Sequence, residues 1–126
     1  MTDPAFNTVT WFQIGTDQPE QAQQFYGELF GWHFTADPDS GAAYDLITYP
    51  GDAQPHGGIS HTDDAADNHT VFMVLVPDVA ATIAQSERLG GKVLVPPVTT
   101  PNGLVFAHLR DVSGNRFGVF TPAPRP

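Results

Sequence analysis

The spacing of apolar and polar residues along this chain predicts one set of elements used twice. Thr8 to Ile14 are β-branched and aromatic and read as a strand. Ala22, Phe25, Tyr26, Leu29 and Phe30 then recur at i, i+3, i+4, i+7 and i+8, with Gln18, Gln21, Gln23 and Gln24 mainly on the other side. That periodicity predicts a helix with one face on a sheet. Asp17 stands where a cap is needed, Glu20 completes a capping box, Pro19 is tolerated in the first turn and Gly31 ends the helix.

Trp32 to Phe34 begins a short strand, Asp37 to Gly41 forms a turn, and Tyr44 to Tyr49 forms a third strand. Residues 54–60 suit a fourth strand, placed at an edge or a close approach by Pro55 and the Gly57-Gly58 pair. Ser60 to Asn68 is polar and acidic and reads as a linker. The plan then restarts. Thr70 to Val76 is an apolar strand, Asp78 caps a helix carrying Val79, Ile83 and Leu89, and Lys92 to Val95 is a short strand. Pro101-Asn102-Gly103 turns the chain into Leu104 to Arg110, and Asp111 to Asn115 is a tight loop before Phe117 to Thr121. The proline-rich tail, Pro122 to Pro126, suits a frayed end.

Asp17 and Asp78 lie 61 positions apart and Gly31 and Gly91 lie 60 apart, close to half the chain. One domain over residues 1–126 is expected, with modules at about 6–60 and 69–122 and a linker at 61–68. Function is expected in a cleft between the halves.

Charge narrows the chemistry. Five Lys and Arg face fourteen Asp and Glu, a formal net charge of −9, so no basic cluster exists to neutralise phosphates. Nucleic acid and anionic membrane are not expected partners, and the acidic balance favours a positively charged ligand. Cysteine is absent, which removes disulfides, thiolate nucleophiles and Cys-ligated metals. No segment approaches the roughly 20 apolar residues that span a bilayer, and Met1 to Pro4 opens no signal-peptide pattern, so a cytoplasmic location is the default. The acidic run Asp63 to Asp67 reads as a solubilising loop, since it lacks the alternating ligands of a calcium site. His56, His61 and His69 match no familiar zinc spacing. His33 reads as structural or exposed. Asn68-His69-Thr70 matches a glycosylation acceptor by pattern only. No nucleophile elbow, P-loop or dinucleotide fingerprint occurs.

The segments Asp17…Phe25-Tyr26-Gly27-Glu28-Leu29-Phe30-Gly31-Trp32, Val76-Pro77-Asp78-Val79 and Asp111-Val112-Ser113-Gly114-Asn115-Arg116-Phe117-Gly118 resemble the vicinal oxygen chelate superfamily. It includes glyoxalase I, extradiol dioxygenases and bleomycin-binding resistance proteins. The resemblance implies an α+β fold of two βαβββ modules, curved into an open barrel around a ligand cleft with the helices outside. It also implies a homodimer. It places the metal ligands of metal-dependent members at Thr10, Val71 and Gly118, none a usual ligand, with a fourth near His56. The usual metal is therefore not expected, although a divalent ion held by His56 and His108 with Asp45 stays open. The side chains three and five residues before Asp111 face the pocket in the family, which assigns His108 and Phe106 to it. A satisfied structural histidine is the alternative for His108, and a turn histidine for His56.

Strand alternation sets Thr10 with Phe12 and Gly118 with Phe120. The reading that follows is a protein binding a small organic molecule through Thr10, Phe12, His56, Phe106, His108 and Phe120, with no cofactor. The competing reading is a lyase, isomerase or dioxygenase-type enzyme using a non-standard metal or His108 as general base. A dimeric interaction module is a third class without a motif behind it.

Overall fold

The computed structural model describes residues 5–40 and 43–124. They form an α+β chain in the order β1 (Thr8–Thr16), α1 (Pro19–Phe30), β2 (His33–Ala36), β3 (Tyr44–Thr48), β4 (Pro55–His61), β5 (His69–Leu75), α2 (Val79–Arg88), β6 (Lys92–Thr99), β7 (Val105–Arg110) and β8 (Arg116–Thr121). A 3₁₀ turn at Ala65–Asp67 interrupts the expected linker, its first turn capped by the Asp64 carboxylate at the Ala66 N–H. Two compact units result: residues 11–70, and residues 71–124 together with 5–10. Gly41 of the expected turn and the last two residues of the tail lie outside the described residues.

In the N-terminal unit the strand order is β2-β3-β4-β1. β1 runs parallel to β4, with Phe12 opposite Gly57 and Ile14 opposite Ile59, and β3 is antiparallel to both β4 and β2. Ile14, Ile47 and Ile59 are buried, with Phe12, Ala22, Tyr26, Trp32 and Phe34 packed against them. Burial of each isoleucine contributes roughly 1.5–3 kcal/mol.

The C-terminal unit repeats the plan. Its order is β5-β8-β7-β6, with β5 parallel to β8 and the other pairs antiparallel. Val76, Val79, Ala107, Leu109 and Val119 form its core, joined by Val74, Ile83, Val105 and Phe117. The Asp78 carboxylate accepts from the Ala81 N–H at 3.0 Å, so the expected cap forms here.

At α1 it does not. Gln18 occupies the N-cap position without a side-chain cap bond. Asp17 instead pairs reciprocally with Asn68: its backbone N–H donates to Asn68 Oδ1 at 3.0 Å, and Asn68 Nδ2 donates to its carboxylate at 3.1 Å. The acid that would have capped the helix ties its entry to the segment before β5. Gly31 does close α1, at φ 73. Of the expected apolar stripe, Ala22 and Tyr26 reach the core, whereas Phe25, Leu29 and Phe30 are 59%, 58% and 51% exposed.

β4 is not an edge strand, because it lies between β3 and β1. Its glycines mark close approaches: a β-carbon on Gly57 would overlap the Phe12 ring, and one on Gly58 the Tyr44 ring. β6 extends past Val95 through Pro96 and Pro97 to Thr99, with register shifts beside the prolines. It pairs with β7 alone in the strand order, so the missing N–H groups interrupt no second ladder.

Candidate functional site

The face of the C-terminal unit turned away from α2 follows from the two-residue period of its strands. Val105, Ala107 and Leu109 of β7 and Phe117 and Val119 of β8 pack toward Val79 and Ile83 of α2. Phe106 and His108, with Arg116, Gly118 and Phe120, therefore share the opposite face. Register brings them together: Phe106 lies across from Phe120 and His108 from Gly118. The Phe106 and His108 rings meet edge-on, with centroids 6.1 Å apart. A β-carbon on Gly118 would overlap the Met73 sulfur, so this glycine lets the thioether lie flat on β8.

His108 is 2% exposed and accepts at Nδ1 a hydrogen bond of 3.0 Å from Arg116 Nε. That contact requires a bare Nδ1, so the neutral ring carries its proton on Nε2. The Asp111–Asn115 loop delivers Arg116 to this place. Asp111 Oδ1 accepts from the backbone N–H of Ser113 at 2.9 Å and of Asn115 at 3.0 Å, and Gly114 turns at φ 86. These donors, that of Asn115 first, hold the Asp111 carboxyl below its usual pKa.

On the corresponding face of the N-terminal unit runs a directed chain of hydrogen bonds. Trp11 Nε1 donates to the Tyr44 hydroxyl at 3.0 Å, Tyr44 donates to Gln13 Oε1 at 3.1 Å, and the Gln13 amide meets His69 Nε2 at 2.9 Å. His69 Nδ1 lies 2.8 Å from the Asp67 carbonyl. A carbonyl only accepts, so His69 carries its proton on Nδ1 and Gln13 donates to Nε2. Gly15 and Gly58 make room, since a β-carbon on either would overlap the His69 or Tyr44 ring. Burial, reinforced by the Asp37 charge and only partly offset by the Trp11 bond, pushes the Tyr44 phenol up to about 12. Sequence reading missed this network, in which Trp11 and Gln13 alternate with the core residues Phe12 and Ile14.

Of the six residues expected to line a site, Phe106, His108 and Phe120 come together. Phe12 belongs to the α1-side core, 5.7 Å from Trp32 and 6.4 Å from Tyr49 between ring centroids. The assumed face of β1 is therefore reversed: the larger apolar burial against α1 claims Phe12 and Ile14 and leaves Trp11 and Gln13 opposite. His56 stacks on Tyr49 at 4.9 Å and pairs with Asp52 at 2.5 Å, in the setting of a turn histidine. Thr10 is exposed. Asp45 accepts from Gln23 Nε2 at 2.8 Å and pairs with His61 Nε2 at 2.7 Å, an arrangement tying α1 to β3 and β4.

Thr10 is exposed, Val71 is a buried aliphatic residue and Gly118 lies beneath Met73. Among the described residues, no three His, Asp or Glu side chains are grouped to hold an ion. A groove of about 380 Å³ beside α2, lined by Gln85, Ser86, Leu89, Val112 and Phe117, contains none of the expected site residues.

Residues 8–119 match the Glyoxalase/Bleomycin resistance protein/Dioxygenase superfamily, and the chain belongs to it. CFP32, a glyoxylase candidate of Mycobacterium bovis, is 32% identical over 119 residues, which cover 94% of this chain and 45% of that protein. The chain thus spans about half the length of that relative. A glyoxylase-like domain-containing protein of Didymella fabae is 29% identical over 119 residues, covering 90% of this chain and 92% of that one. Among solved structures, Streptomyces coelicolor methylmalonyl-CoA epimerase in complex with 2-nitronate-propionyl-CoA matches with a TM-score of 0.64 at 18% identity, over 95% of this chain and all of that one. That likeness establishes the fold.

Proposed function

We propose that this chain binds a small organic molecule with a flat apolar body on the β7–β8 face of its C-terminal unit, without the divalent metal used by other members of the family. One observation carries the reading: Phe106 and Phe120 stand side by side as an apolar wall, and the hydrogen-bonded pair His108 and Arg116 lies next to them on the same face. Apolar walls with a few oriented polar groups are the usual make-up of small-molecule sites. The poor donor chemistry at Thr10, Val71 and Gly118 supports the metal-free part.

The enzyme reading with His108 as general base is less well supported. Arg116 takes the Nδ1 lone pair, so the ring is left with an N–H where a base needs a free nitrogen. Self-association into a homodimer belongs to the proposal, with the exposed Phe25, Leu29 and Phe30 as apolar surface to be covered. Among the described residues no helix is long and apolar enough to cross a membrane.

The test is a panel of small aromatic and heteroaromatic compounds, added with a chelator present and read by melting temperature and backbone amide NMR. Binding should raise the melting temperature and move β7 and β8 amides, and Phe106→Ala should abolish both effects. A panel that leaves these amides unmoved overturns the reading.

A further inference from the structure

The groove beside α2 lies on the helix side of the C-terminal unit, across the sheet from Phe106, His108 and Phe120. Its volume of about 380 Å³ falls within the roughly 300–1,000 Å³ of small-molecule sites. Leu89, Val112 and Phe117 give it an apolar wall, and Gln85, Ser86 and Asp111 give it polar and charged groups. Leu89 and Val112 are 69% and 76% exposed, so uncovered apolar surface stands beside a carboxylate. We infer that this groove is a second ligand site, separate from the β7–β8 face, and that it takes a small amphipathic amine whose ammonium pairs with Asp111 while its apolar body lies on Leu89, Val112 and Phe117.

Charge decides the ligand class. Among the described residues that line the groove, Asp111 carries the one formal charge. Its own loop keeps it ionised, because the Asn115 and Ser113 N–H groups donate to Oδ1 and hold the carboxyl below its usual pKa. Oδ2 is engaged less tightly, by Asn115 Nδ2 at 3.4 Å, and a carboxylate oxygen can accept a second, charge-assisted bond from an ammonium. The second source of negative potential is α2. Gln85 and Ser86 belong to its last turn and Leu89 is its C-cap, where the helix dipole ends in roughly half a negative charge. Arg88 of the same turn is exposed and is not part of the lining. An anion would be repelled by both sources, and a neutral molecule would gain from neither. The net charge of −9 acts in the same direction.

Calorimetry and amide NMR on the full chain with phenethylamine, 2-phenylethanol and phenylacetate test this, since the three share one ring and differ in charge. The amine should bind about fivefold tighter than the alcohol, with the acid weakest, and should move the amides of residues 85–91 and 111–112. Asp111→Asn should bring the amine down to the affinity of the alcohol. Asp111 also holds its loop, so the exposed Gln85 supplies an independent check. Gln85→Lys should weaken the amine about threefold and tighten the acid, and Gln85→Glu should do the reverse. Phe106→Ala, on the other face, should leave the amine shifts at these residues unchanged. Equal or tighter binding of the alcohol or the acid, or Gln85 variants that move amine and acid in the same direction, overturn the ligand class. Amine shifts confined to Phe106, His108 and Phe120, or no shifts at all, overturn the site.

Discussion

The Tyr44 ring lies directly across Gly58, filling the space where any other residue would carry its β-carbon. Gly58→Ala should therefore displace the ring and disturb the bonds Tyr44 makes to Trp11 and Gln13, at a cost of about 1–3 kcal/mol. Denaturant unfolding measures the loss. Combined with Tyr44→Ala the two effects should be strongly non-additive, since the alanine at 44 removes the group that the methyl meets. Simple additivity would show that the ring does not depend on the glycine.

Tyr44 should also mark its burial by titration. An acid whose folded-state pKa is raised contributes stability that is complete below its ordinary pKa and lost as pH rises through the folded value. For Tyr44 that window runs from 10.0 to about 12, a loss on the order of 3 kcal/mol. Tyrosinate absorbance should show a late step that belongs to Tyr44. Tyr44→Phe should remove the late step and cost roughly 1–3 kcal/mol, by leaving Trp11 and Gln13 without their partner. Absence of any such late step would contradict the network.

The depressed carboxyl of Asp111 predicts the opposite pH direction. Its ionised form accepts the loop N–H groups of Asn115 and Ser113, so its contribution is present above the ordinary value of 3.8 and declines as pH falls through the lower folded value. Asp111→Ala should lower the melting temperature near neutrality, and the gap to the parent protein should narrow in acid.

Phe12 and Phe106 should separate stability from binding. Phe12→Ala removes a partly buried ring from the α1-side core, at about 2–4 kcal/mol, and should leave ligand affinity unchanged. Phe106→Ala should reduce affinity with the smaller structural cost of a half-buried side chain. The reverse pattern, measured by calorimetry and denaturation, would return Phe12 to the site.

The repeated plan was legible in the sequence because its signals are local. Asp78 caps α2, Gly31 ends α1, and Gly103 and Gly114 turn with positive φ where the patterns placed turns. What was not legible depends on partners distant in the chain. Asp17 has the composition of a cap but is claimed by Asn68, 51 residues away. Pro55 and the glycines of β4 pointed to an edge or a close approach, and only the rings of Phe12 and Tyr44 on neighbouring strands decide for the close approach. Alternation along β1 establishes two faces without saying which meets the helix. Arg116 carried no signal beyond its place after Asn115, because its meaning arises only once β7 sets His108 beside it.

The metal-free site is the central claim, and elemental metal analysis tests it most directly, on untagged protein as purified and after incubation with nickel, zinc, manganese or ferrous iron followed by desalting. The account predicts retention far below one equivalent, since a lasting site needs several positioned donors. Retention of about one metal per chain, lost on substitution of His56 or His108, would contradict it.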